Sequence, residues 1–355
     1  MRVVLAGGGS GGATVPLLAV ADEIRRNNPQ AKFIFIGTTD GPERQLVHEA
    51  KIVFRSVTAG KLRRYWSWQN FIDPLRVLLG FFQSLYYLHA FGADAVLSVG
   101  GYVSVPVVWA ARLMEIPSHV HQQDVEPGLA NRLLTWPATR MSVTFKHSLK
   151  FFPGHKTLHT GNPVRSDIMA GSKERGMNAF SLDPKLPTVL VFGGGTGAQK
   201  INELMVGAAF ELCEHLQVIH IFGKTRQRFN IANSRYHAYE FLSSEMADAY
   251  AVADIVVCRA GLSTISELSA LSKSAIIIPM PETHQEANAA LLKRSNAAVI
   301  VDQGTLTSDF LIDVILGLLA NAEWREILKK NIHALTNTEA RSSIAQSIIN
   351  LAKAS

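Results

Sequence analysis

Two glycine-rich runs hold the residue types best suited to binding phosphate. Gly7-Gly8-Gly9-Ser10-Gly11-Gly12 follows the apolar Val3-Val4-Leu5, and Gly193-Gly194-Gly195-Thr196-Gly197 follows Val189-Leu190-Val191-Phe192. A buried strand, a tight glycine turn and a helix leave unpaired backbone N–H groups at the positive helix end, where an anion binds. One such run is weak evidence. Two predict an α/β chain with two Rossmann-like halves facing a cleft, each half with its own diphosphate cradle.

Rival phosphate chemistries leave different marks. A dinucleotide enzyme needs an acidic residue at the end of its second strand, but Lys32–Ile36 is followed by Gly37-Thr38-Thr39-Asp40, with Asp40 beyond the strand. Neither run continues into the Gly-Lys-Ser/Thr of an ATP-hydrolysing loop. No Asp-x-Asp occurs, which argues against a metal-bound diphosphate. Backbone dipoles and basic side chains must then meet the charge. Cys213 and Cys258, the two cysteines, lack metal-ligand spacing and fit a reducing cytosol.

The elements around these runs repeat. Val3–Leu5 precedes a helical pattern over Pro16–Arg26, with proline in the first turn, and Lys32–Ile36 precedes one over Gly41–Ala50. Such alternation predicts parallel sheets with crossover helices. Ala93-Asp94-Ala95-Val96-Leu97-Ser98-Val99-Gly100-Gly101 parallels Ala253-Asp254-Ile255-Val256-Val257-Cys258-Arg259-Ala260-Gly261, and His121…Ala130-Asn131 parallels His284…Ala287-Asn288. Open α/β sheets bind ligands at the edge where such loops lie. With 355 residues there is room for two domains. The turn at Gly161-Asn162-Pro163 places them at 1–162 and 163–340, with a last helix, 341–355, bracing one against the other.

Charge is uneven. Residues 1–164 hold 17 Lys/Arg against 10 Asp/Glu, and 165–355 hold 18 against 19, so the net +6 arises in the first half. That half suits an anionic partner such as phospholipid or a phosphorylated substrate. No nucleic-acid reader motif accompanies the charge. Lys61, Arg63 and Arg64 lie beside Tyr65, Trp66 and Trp68, ahead of the apolar Leu75–Leu88. Basic and aromatic residues together are the composition of a segment lying on an anionic membrane; a core helix behind a solvated basic loop is the alternative. The apolar stretch is too short and interrupted to span a bilayer, and the N-terminus runs straight into the first strand without a cleavable leader.

Taken together, the segments resemble one family, the peptidoglycan N-acetylglucosaminyltransferases called MurG, which convert lipid I to lipid II. The resemblance rests on Gly8-Gly9-Ser10-Gly11-Gly12…Pro16, Gly100-Gly101-Tyr102-Val103-Ser104, His121-Gln122-Gln123-Asp124 and Gly161-Asn162-Pro163-Val164-Arg165. It continues through Gly193–Ala198 with Asn202, Met246-Ala247-Asp248-Ala249-Tyr250, Arg259-Ala260-Gly261-Leu262-Ser263-Thr264, Glu267, and His284-Gln285…Asn288-Ala289. It implies a GT-B fold and an inverting, metal-independent transfer without a cofactor. The donor would be UDP-N-acetylglucosamine. The acceptor would be the C4 hydroxyl of the muramyl sugar of lipid I, a polyprenyl-diphosphate-linked muramyl pentapeptide. The polyprenyl tail would hold the enzyme peripherally at the cytoplasmic face of the membrane.

Family roles fall on particular residues. Glu267 would hold the uridine ribose hydroxyls, since a carboxylate matches a vicinal diol; a solvated helix carboxylate is the alternative. Gly194, Gly195, Thr196, Asn202, Ser263 and Thr264 would surround the donor diphosphate, with Arg165 adding charge. His284 and Gln285 would bond the donor sugar. Phe241 and Met246 would frame the uracil, unless they are core residues. Gly9, Ser10, Gly11, Gly12 and Tyr102 would receive the acceptor's diphosphate.

Two departures stand out. The family usually has His after the last loop glycine, where this chain has Ala13, and His-Glu-Gln-Asn where it reads His121-Gln122-Gln123-Asp124. A base is still needed for the attacking hydroxyl, and an ionised Asp serves where a neutral Asn cannot. Asp124 is therefore expected as base, with His121 orienting or substituting for it; a turn or helix cap is the alternative for Asp124. Another lipid such as diacylglycerol as acceptor, and a non-catalytic nucleotide-sugar binder, remain alternatives.

Overall fold

Strand and helix alternate along the whole chain. The structure is a computed structural model describing residues 1–8, 11–39, 41, 43–60, 69–193, 198–223, 231–337 and 339–354, without the side chains of 11 and 69–72. The first half runs β1 (Arg2–Ala6), α1 (Gly11–Asn27), β2 (Lys32–Gly37), α2 (Glu43–Glu49), β3 (Val53–Ser56) and α3 (Gln69–Phe91). It continues with β4 (Ala95–Ser98), α4 (Ser104–Leu113), β5 (Ser118–Gln122), α5 (Leu129–Leu134), β6 (Arg140–Val143) and β7 (Thr157–His159). The second half runs α6 (Lys173–Ala179), β8 (Thr188–Phe192), α7 (Gln199–His215), β9 (Gln217–Ile221), β10 (Tyr236–Tyr239), α8 (Met246–Val252) and β11 (Ile255–Cys258). It ends with α9 (Leu262–Ala270), β12 (Ala275–Ile277), α10 (His284–Arg294), β13 (Val299–Ile300), α11 (Ser308–Ala320), α12 (Ala322–Leu335) and α13 (Ala340–Ala354).

The chain divides into two compact units, one of Met1–Arg165 with Asn337–Ser355 and one of Ser166–Thr336. The first holds a seven-stranded sheet in the order β3-β2-β1-β4-β5-β6-β7; the second holds six strands ordered β10-β9-β8-β11-β12-β13. The paired strands are parallel. Parallel strands are covered on both faces and read as continuous apolar runs, as β4 and β8 do, with every residue buried. In the first sheet Val4, Ala6, Val96 and Val120 pack under α3 and α4, while Val3, Leu5, Ala95 and Leu97 pack under α1 and α13.

Two expected boundaries shift. Pro163, Val164 and Arg165 stay with the first unit, and the chain returns to that unit from Asn337. There α13 packs on α1, and Arg341 Nε lies 2.9 Å from a Glu23 carboxylate oxygen.

The first helix also differs from expectation. It starts at Gly11, so Pro16 lies inside it rather than in its first turn. A proline lacks the N–H that would bond the carbonyl four residues back, here that of Gly12. Gln123 Nε2 donates to the Gly12 carbonyl at 3.2 Å and takes its place.

Candidate active site

Each sheet reverses strand order once, between β1 and β4 in the first and between β8 and β11 in the second. Ligands of open α/β sheets bind outside the strand C-termini at that reversal. The loops after β1, β4 and β5 share that edge in the first unit, and those after β8, β11 and β12 share it in the second.

In the first unit Gly11 and Gly12 open α1, while Gly9 and Ser10 lie outside the described residues. The loop after β4 turns on Gly100 and Gly101, at φ +85° and +81°. A side chain at Gly100 would be strained by that φ and would overlap Asn131. Tyr102 follows, half-buried; burial and then the Glu43 carboxylate push its hydroxyl pKa up. Ser104 Oγ donates to the carbonyls of Ala6, at 3.1 Å, and Gly100, at 2.6 Å, tying this loop to β1.

His121 is 1% exposed and belongs to a buried hydrogen-bond chain. Its Nε2 meets Asn162 Oδ1 at 3.1 Å and its Nδ1 meets Ser142 Oγ at 2.8 Å. Ser142 Oγ also meets His119 Nε2 at 2.7 Å, and His119 Nδ1 meets Ser347 Oγ of α13 at 2.8 Å. The amide oxygen of Asn162 can only accept, so His121 carries its proton on Nε2, and each earlier donor follows in order. Ser347 donates to His119, His119 to Ser142, Ser142 to His121, and His121 to Asn162. Gln123 Nε2 also donates to Asn162 Oδ1, at 3.4 Å, and so continues the chain to α1. His121 is thus positioned to orient its surroundings. The expectation that it substitutes as base does not fit, because both ring nitrogens are engaged inside the core.

Desolvation holds both rings neutral, His119 at about 3 and His121 at about 4. Unfolding lets each ring take a proton near its ordinary value of 6.5. The unfolded state therefore binds more protons, and stability falls as pH drops from about 6.5 toward 4. Ser142→Ala should lower stability by about 2–5 kcal/mol, since one partner of each histidine is lost in the core. Thermal denaturation at pH 7 and pH 5 measures both effects.

Asp124 lies half-buried in the bend after β5. The cap of α5 is Gly128, so Asp124 does not cap that helix. Gln122, 2% exposed, donates from Nε2 to the carbonyls of Asp124, at 2.7 Å, and Glu126, at 3.2 Å, and accepts from Asn131 Nδ2 at 2.5 Å. A carboxylate at 122 could make neither donation. The positioning roles of Gln122 and Asn131 were legible only in the amide standing where the family has an acid.

In the second unit Gly194, Gly195 and Thr196 lie outside the described residues. The first turn of α9 follows Gly261, which makes no side-chain cap, and Ser263 and Thr264 stand half-buried in that turn. One turn on, Glu267 Oε2 accepts from the buried Tyr250 hydroxyl at 2.8 Å. Tyr250 is in turn packed edge-on by Phe192 of β8. Phe241 is 58% exposed beyond β10, not a core residue, and Met246 begins α8, half-buried. His284, exposed, and Gln285 open α10 behind Thr283, whose hydroxyl accepts from the Gln285 backbone N–H at 3.2 Å. Asn288 Nδ2 donates to the Ala260 carbonyl at 3.1 Å, tying α10 to the α9 loop.

Asn202 is the exception in this unit. It is buried, with Nδ2 on the Phe222 carbonyl and Oδ1 on His220 Nε2. It braces β9 from below instead of presenting its amide to a ligand. The parallel drawn between His121 and His284 also fails, because one lies inside a strand and the other opens a helix. Arg165 ends the first segment of the first unit, half-buried. Lys61, Arg63, Arg64 and Trp66 lie outside the described residues.

Residues 3–143 match the glycosyltransferase family 28 N-terminal domain and 188–348 its C-terminal domain. The chain is 34% identical over 349 residues to a UDP-N-acetylglucosamine–N-acetylmuramyl-(pentapeptide) pyrophosphoryl-undecaprenol N-acetylglucosamine transferase of Clostridium botulinum, covering 97% of this chain and 95% of that one. It is 33% identical to the protein of that name from Lachnoclostridium phytofermentans, covering 97% and 96%. Its fold matches the crystal structure of Acinetobacter baumannii MurG with a TM-score of 0.76 at 24% identity, over 98% of this chain and 99% of that one. It also matches a Neisseria meningitidis UDP-GlcNAc 2-epimerase bound to UDP-GlcNAc, at 0.68 and 13% identity, over 99% and 100%. The two parallel-sheet units are those of a GT-B glycosyltransferase, and the chain belongs to the MurG family of N-acetylglucosamine transferases.

Proposed function

We propose that the chain transfers N-acetylglucosamine from UDP-N-acetylglucosamine to the C4 hydroxyl of the muramyl sugar of lipid I, giving lipid II and UDP. The observation that carries this reading is the second unit's switch point, where α9 starts on a glycine and carries, one turn on, a carboxylate that accepts from the Tyr250 hydroxyl. That pairing suits a nucleoside diphosphate: backbone N–H groups for the phosphates, Glu267 for the ribose diol. Exposed Phe241 offers a face to the base, and His284 and Gln285 offer polar groups to the sugar.

In this mechanism Asp124 takes the proton of the C4 hydroxyl as its oxygen attacks the sugar's anomeric carbon. The bond from that carbon to the diphosphate breaks with inversion, and UDP leaves. Ser263, Thr264 and the α9 N–H groups meet the charge that develops on UDP, with Arg165 and the loop after β8 assisting. Gly9, Ser10, Gly11, Gly12 and Tyr102 hold the acceptor's diphosphate on the first unit. UDP release that depends on lipid I tests this reading. Release with diacylglycerol instead, or UDP binding without release, would replace it.

The acceptor's tail calls for a membrane-facing surface on the first unit, at the cytoplasmic face of the bilayer. Helix α3 supports one: Leu75, Leu78, Leu79, Phe82 and Tyr86 are exposed along one stripe, while Gly80, Ser84 and Leu88 face the core. A helix apolar on both faces has one face too many for a water-soluble surface. Among the described residues no helix is long and apolar enough to cross a membrane. Leu79→Asp with Phe82→Asp should abolish most binding to lipid vesicles in a flotation assay; parent-like flotation would remove α3 from this surface.

A further inference from the structure

A carboxylate stands behind the first unit's glycine loop. Glu43, the first residue of α2, is fully buried. Thr38, which follows β2, donates to its Oε1 from the backbone N–H at 2.8 Å and from the hydroxyl as well. A charge taken out of water is tolerated only where such donors hold it, so the Glu43 carboxylate has one place to be. The loops after β1, β2 and β4 leave the same sheet edge, because those strands are parallel neighbours.

Three glycines make room for it. A Cβ at Gly8 would stand 2.6 Å from Glu43 Oε1, too close for a real side chain, and one at Gly37 would stand 3.1 Å from its Cγ. A Cβ at Gly41 would overlap Oε2. The carboxylate is therefore seated directly against the Gly8 backbone. The Gly8 carbonyl lies in turn 3.6 Å from where a Cβ of Gly101 would be, so the loop after β4 rests on the loop after β1. Tyr102 follows, and the Glu43 charge, second to burial, raises its pKa and helps to keep its hydroxyl protonated.

A carboxylate facing a diphosphate would repel it, so Glu43 is poorly suited to bind the acceptor itself. Seated behind Gly8, it can instead fix the groups that do. We propose that Glu43 is a positioning residue for the acceptor: it sets the course of the glycine loop at Gly8 and, through Gly101, the place of Tyr102 beside it. This role rests on the reading that the first unit holds the acceptor's diphosphate.

Steady-state kinetics with each substrate varied in turn test this. Glu43→Gln keeps the shape and removes the charge. It should raise the acceptor's KM by about 3–10-fold, the difference between charge-assisted and neutral hydrogen bonds. Glu43→Ala should raise it by about 10–100-fold, since the donors of Thr38 then lose their partner. In both variants KM for the UDP-sugar, and the calorimetric affinity for UDP, should stay at the parent's values. Gly8→Ala should raise the acceptor's KM as well, because its methyl group meets the carboxylate. Added to Glu43→Ala, the same change should have little further effect, since the space is then vacant. Effects of Gly8→Ala and Glu43→Ala that multiply would overturn the contact. A parent-like acceptor KM in both Glu43 variants would overturn the positioning role. So would an equal rise in the KM of both substrates, which marks a general structural residue. Tyr102→Phe separates this role from the reading beneath it. A raised acceptor KM in Tyr102→Phe, with parent-like Glu43 variants, fails the role of Glu43 alone. Parent-like values in all three fail the placing of the acceptor's diphosphate on these loops.

Discussion

Replacing Asp124 by Asn is expected to lower kcat by about 10²–10⁴-fold, with KM for both substrates close to that of the parent. The substitution keeps shape and removes the negative charge, so the loop after β5 should keep its course. Two features support that course independently of the Asp124 side chain. Gln122 donates to the carbonyls of Asp124 and Glu126, and Gln123 donates to the Gly12 carbonyl left open by Pro16. A drop confined to kcat is the signature of an interaction made in the transition state. Turnover within a few-fold of the parent would remove Asp124 from the chemistry. An equal fall in thermal stability would make it a structural residue.

Replacing Glu267 by Ala is expected to raise KM for the UDP-sugar by about 10–100-fold, the loss of charge-assisted hydrogen bonds to two hydroxyls. The acceptor's KM should stay near the parent's, because Glu267 belongs to the second unit. Tyr250→Phe should give a smaller rise, about 3–10-fold, since the carboxylate remains but loses the donor that orients it at 2.8 Å. Calorimetric titration with UDP separates these cases. Parent-like affinity in Glu267→Ala would show a solvated surface carboxylate with no ligand role.

Much of this was legible in the chain because the residues concerned answer to local rules. Buried parallel strands must be apolar on both faces, so Val3–Leu5 and Val189–Phe192 announce themselves, and the glycines after them mark where the backbone turns into a helix. Ser263, Thr264 and Glu267 fall where a helix start and its next turn put them. Long-range partners were not legible. Nothing near His121 in sequence indicates that Ser142, Asn162 and, through His119, Ser347 would use up its surroundings. The expectation of a ligand contact at Asn202 misses its partners for the same reason, since His220 and Phe222 meet it only in the fold. The start of α1 is not legible because a proline ordinarily marks a first turn, and here a glutamine from another loop compensates for one inside the helix. The return of α13 to the first unit buries Ile344, Ala345, Ile348 and Ile349 with Leu17, Val20, Ala21 and Ile24 of α1; their spacing marks a helix but does not say which unit it packs on.

Crystals of the protein soaked with uridine diphosphate test most directly the claim that backbone amides and one carboxylate of the second unit hold the donor. The ribose hydroxyls should lie within hydrogen-bond distance of Glu267, with the phosphates at the start of α9. Nucleotide bound to the first unit's glycine loop, with the rim of the second unit empty, would contradict the account.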